Sequence, residues 1–138
     1  MRRREHPLWI LVAIYGGLAF MIGFVFGALR EIVLIPRFGD EPGHWIEFPL
    51  VTVPIAIIGW MIGRRRAGQL GQAWAIGVGG VAVLLAIESI FALGVMGVTV
   101  SDYVDSFNIF KGALFPFGLA IMAAAPPVGS ALARPSER

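Results

Sequence analysis

The sequence predicts an all-α membrane protein, a bundle of four transmembrane helices with both termini in the cytoplasm. Three observations lead there. Of 138 residues 57% are hydrophobic and only 14% charged, far from the balance of a soluble domain. Four apolar stretches each approach the roughly 20 residues that span the hydrocarbon core at 1.5 Å rise per residue. The basic residues, finally, are distributed unevenly over the segments between those stretches.

The first span is predicted from Leu8 to Leu29, with no charge inside, preceded by Arg2, Arg3 and Arg4 and closed by Arg30 and Glu31. Its apolar run exceeds the roughly 7–15 residues of a signal-peptide core, and no small-x-small cleavage site follows, so it reads as a retained helix. The second span is expected over 44–63, stopped by Arg64, Arg65 and Arg66. The third, over 72–97, carries one charge, Glu88. Ser101 to Asp105 reads as a capped turn or short interfacial helix. The fourth span is expected over 107–125, ended by Pro126 and Pro127, whose rings and missing N–H groups break helices. Together these spans use nearly all of one domain, 1–138.

Three arginines in the amino-terminal segment, three after the second span and two in the tail face Arg30, Arg37 and Lys111 on the other side. The richer side is the cytoplasm. Trp9, Trp60 and Trp74 fall near that boundary and Trp45 near the external one, as interfacial aromatics do. The high calculated pI of about 9.7 therefore reflects topology, and no nucleic-acid partner is expected. The partners expected are the lipid bilayer and either further copies of the chain or a larger membrane complex. A bacterial inner membrane is the expected location.

Glu88 is the sharpest functional signal. It lies fourteen residues beyond Trp74 in an apolar helix, about 21 Å along its axis, where an ionised carboxylate must be paired, protonated or wet. Arg30 is the expected partner. It shares a helix face with Gly23 and Gly27, Gly77 shares one with Glu88, and the side chain of Arg30 leans back toward the membrane interior. Lys111 is expected to lean outward, to water or to Glu47. Glu47 reads as a first-turn carboxylate favoured by the helix dipole, or as a gate beside the same cluster. Pro54 and Pro116 interrupt spans two and four and free the carbonyls of Leu50 and Gly112. Gly59 and Gly63 read as a helix-packing pair.

The chain has no cysteine and only two histidines, His6 and His44, with no HExxH, Walker or nucleophile-elbow motif. Neither an enzyme, a cofactor nor a metal site is expected; acids Asp40 and Glu41 beside His44 read as a solvated surface.

Ala28-Leu29-Arg30, Pro36-x-x-Gly39, Glu47-x-Pro49, Ala86-Ile87-Glu88 and Ser101-Asp102-Tyr103-Val104 together resemble an uncharacterised group of small four-helix bacterial inner-membrane proteins. The resemblance covers most of the chain and implies the bundle and a polar set at Arg30, Glu47 and Glu88; Lys111 and Pro116 stand outside its pattern. It brings no activity with it. Two functions remain in view: an accessory or assembly subunit whose buried charges fix packing, which is favoured because four short helices make a small pathway, and a proton-coupled or small-solute translocator working through Glu88.

Overall fold

A computed structural model of the protein describes residues 7–105 and 114–133. Among these residues the chain is helical throughout its regular structure, with no strand. The elements are α1 (Leu8–Leu29), α2 (Ile35–Phe38), α3 (Asp40–Arg64), α4 (Leu70–Ser89), α5 (Val100–Asp105) and α6 (Phe115–Leu132). Two π-helical segments, Arg30–Leu34 and Ile90–Val95, extend α1 and α4.

The first apolar rod is longer than expected. Instead of stopping at Leu29 it runs from Leu8 to Phe38. Pro36 cannot donate to the carbonyl four residues back and its ring crowds that turn. The chain meets this by widening: the Ile35 N–H bonds to the carbonyl of Arg30, five residues back. Gly39, at φ +91°, then reverses the chain. With the turn made by one residue, α3 begins at Asp40 rather than near His44, with Asp40 and Glu41 in its first turn beside the positive end of the helix dipole. The arginine triplet ends α3 at Arg64.

α4 begins at Leu70 and its π extension ends at Val95, shifted by two residues from the expected 72–97. The expected short helix is present as α5, but its cap is Thr99 rather than Ser101: the Asp102 N–H donates to Thr99 Oγ1 at 3.1 Å. Most of the stretch expected to open the fourth span, 106–113, lies outside the described residues. Pro116 stands in the first turn of α6, where a missing N–H costs nothing, so it opens this helix instead of interrupting it. Pro126 and Pro127 lie inside α6, which continues to Leu132. The expectation that they end the helix is overturned.

Three helical rods, Leu8–Phe38, Asp40–Arg64 and Leu70–Val95, are long and apolar enough to cross a membrane, and Pro116–Leu132 is a shorter apolar helix. α1 packs on α3 and α4, and α6 closes against both of those. Three close approaches set this arrangement, one of them Gly129 of α6 against the Trp60 carbonyl of α3. Gly63 lies against the Pro126 carbonyl and Gly77 against the Ala123 carbonyl, so closely that a Cβ on either would collide with backbone. Such approaches make Gly63 part of the packing inside the bundle, as read from the sequence, and turn Gly77 toward α6 rather than toward Gly23 and Gly27. The glycine contact between α1 and α4 is made instead by Gly16 and Gly80.

Candidate functional site

Polar contacts tie the packed helices together at three levels, and two of them form the candidate centres. The first was missed in the sequence. Tyr15, in mid-α1, is wholly buried, and its hydroxyl donates to the carbonyl of Met122 at 2.6 Å. Met122 is four residues before Pro126, so its carbonyl has lost its helical donor. Tyr15 supplies the replacement for the bond that Pro126 removes; the carbonyl of Ala123, freed by Pro127, lies against Gly77. The ring of Tyr15 fills the space left by Gly80 on α4, and its hydroxyl that left by Gly59 on α3. One side chain thus touches all four packed helices. The available signal was a lone tyrosine in a charge-free span and a proline pair with an orphaned acceptor one turn earlier.

Around it Leu11, Ala19, Ile55, Ile76, Leu84 and Met122 form the apolar core. Further toward the Arg64 end, Ser130 Oγ donates to the Arg66 carbonyl at 2.7 Å, and Arg66 donates to Gln72 Oε1 at 2.8 Å. Arg66, read from the sequence as one of three stop charges, is only 7% exposed. It fastens the α3–α4 turn to the end of α6.

The second centre is at the Arg30 end. Arg30, the first residue of the π segment after α1, bonds Glu47 of α3 at 2.5 Å and its neighbour Glu31 at 3.3 Å. The side chain of Glu47 is 12% exposed and that of Arg30 is 26% exposed. Gly27, one turn before Arg30, has Glu47 Oε1 as its nearest neighbour, so the absence of a side chain there leaves the carboxylate room. Arg30 Nε is buried without a hydrogen-bond partner among the described residues.

Glu88, in the last turn of α4, stands within the electrostatic reach of Arg30. It forms no ion pair or hydrogen bond with it, so the partner expected for Arg30 is replaced by Glu47. The reason is the early start of α3. Asp40 and Glu41 occupy its first turn, and Glu47, about two turns further on, belongs to the helix wall facing α1 rather than to the dipole end. Lys111 lies outside the described residues. Ser89 and Tyr103 share a 2.8 Å hydrogen bond that ties α4 to α5. Phe20, Phe24 and Phe91 stack edge-on and tilted between α1 and the extension of α4, at centroid separations of 5.4–6.1 Å. His44 Nδ1 lies 2.6 Å from the Asp40 carbonyl within its own helix.

No protein-family model matches the chain, and neither do curated proteins or solved structures. Its class rests on the fold itself: helices of this length and apolarity, with large hydrophobic side chains such as Ile14, Met21, Val53, Ile57 and Val78 exposed along them, make a membrane protein.

Proposed function

We propose that this chain is a four-span protein of a bacterial inner membrane, with both termini cytoplasmic, serving as an accessory or assembly subunit. The observation that carries the reading is Tyr15. At its level the interior is filled by the tyrosine and by Ile76 and Met122, with backbone-to-backbone glycine contacts on either side. Polar groups there are consumed in holding helices together. The Arg30–Glu47 pair does the same between α1 and α3. Such interior bonds favour one helix arrangement, a geometry that a partner could read. The fourth crossing is supported by α6, whose 18 residues extend about 27 Å, close to the hydrocarbon thickness. The orientation is supported by the bias of arginines toward one side.

The translocator reading has Glu88 in its favour, a carboxyl group near Arg30 and unbonded among the described residues. A path from Glu88 to the Arg64 end would have to pass the Tyr15 layer. Two measurements on the full chain separate the readings. Deletion from the membrane of origin should lower the abundance of one specific membrane complex, and purified protein in liposomes should carry no proton flux above that of empty vesicles under an imposed pH gradient. Flux that disappears in Glu88→Gln would overturn the assembly role.

A further inference from the structure

A furrow of about 280 Å³ runs between α3 and α6, lined by Ala56, Trp60, Ile121, Ala124, Ala125 and Val128. Its lining is apolar. Three alanines form the floor, Trp60 stands at the wall, and the exposed Ile121 and Val128 form the rim. At its end on α3, the guanidinium of Arg64 sits 4.7 Å over the Trp60 ring. Arg65 follows at the surface, whereas Arg66 is buried and bonded to Gln72. Two exposed cations thus stand where an apolar furrow reaches the end of an apolar helix.

We propose that this furrow binds one anionic phospholipid, its acyl chain lying along Ala56, Ala124 and Ala125 and its phosphate held by Arg64 and Arg65. This inference rests on the membrane-spanning character of α3 and not on the accessory role. The tryptophan stacked under Arg64 restrains the guanidinium at the depth where a phosphodiester lies, and an arginine fork suits phosphate oxygens. Charge selects this occupant over a second copy of the chain. Two copies in one membrane are related by an axis along the membrane normal, which would set their Arg64 and Arg65 side chains at the same depth with like charges facing. A lipid phosphate at that place is attracted instead.

The test is retention of defined lipids by the full-length protein, exchanged from nanodiscs of mixed phosphatidylglycerol and phosphatidylcholine into detergent and weighed by native mass spectrometry. One phosphatidylglycerol per chain should be retained in preference to phosphatidylcholine. Replacing both arginines (R64Q/R65Q) should lower the preference by about 25-fold, about fivefold for each charge. Ala124→Leu, which fills the floor without touching the arginines, should reduce retention of both lipids. Helical circular dichroism and the melting midpoint, unchanged in these variants, would assign the loss to the site. Equal retention of the two lipids, retention untouched by R64Q/R65Q, or a dimer crosslinked through Cys substituted at Ala124 would each overturn the proposal.

Discussion

Tyr15 and Met122, 107 residues apart in sequence, are joined by a hydrogen bond at the carbonyl that Pro126 frees inside α6. The bond does for Met122 what the absent N–H of Pro126 cannot. It also crosses the bundle from α1 to α6, so one hydroxyl serves both a local backbone need and the packing of the whole interior.

Tyr15→Phe should therefore cost about 1 kcal/mol of stability, since it leaves a carbonyl unpaired in a filled interior. Pro126→Ala returns an N–H to Met122, and in that background the same tyrosine change should cost clearly less. Unfolding in mixed micelles across the double-mutant cycle measures this. Equal costs in the two backgrounds would separate the tyrosine from the proline.

Glycines divide by what they face. Gly63→Ala and Gly77→Ala place a methyl group against the backbone carbonyls of Pro126 and Ala123, which cannot turn aside. Each should destabilise by about 1–3 kcal/mol or force α6 outward. Gly17→Ala, with nothing within 4 Å, should be neutral or slightly stabilising through helix propensity. Thermal midpoints in one detergent suffice, and a tolerated Gly63→Ala would show that α6 does not pack as described.

The Arg30–Glu47 pair should behave as a coupled unit. Truncating Glu47 to Ala leaves a half-buried guanidinium and should cost about 2 kcal/mol, whereas Arg30→Met with Glu47→Leu should recover much of it. Arg30 and Glu88, near each other but unbonded, should show the smaller coupling energy. A cycle in which Glu88 couples more strongly than Glu47 would reverse the assignment.

The proposed orientation places the turn at Gly97 and the carboxyl terminus on opposite sides of the membrane. Alkaline phosphatase fused after Gly97 should be active and a fusion at the carboxyl terminus inactive, because the side rich in arginine stays in the cytoplasm. Activity at the carboxyl terminus would show that the chain crosses an odd number of times or the other way round.

The start of α1 at Leu8 and the end of α3 at Arg64 were legible because a charged or helix-breaking residue marks each at the lipid boundary. The opposite ends were not. Arg30 with Glu31 and the pair Pro126–Pro127 look like stops, yet a widened turn carries the first helix on past Pro36 and a distant tyrosine answers the carbonyl that Pro126 frees. In the candidate site, Arg30, Glu47 and Glu88 stand out as polar residues in or at the end of apolar segments. Their pairing was hidden, since it depends on where α3 begins.

The sequence by itself determined which stretches are apolar and long enough for lipid, where the charges between them lie, and which few polar residues interrupt them. These are properties of residues taken singly against water and hydrocarbon. The tertiary structure alone decided that Arg30 meets Glu47 rather than Glu88, that Gly77 faces α6 and that Tyr15 rescues Met122. Each depends on the rotation and depth of one helix against another, and those are set by close backbone approaches between residues far apart in the chain.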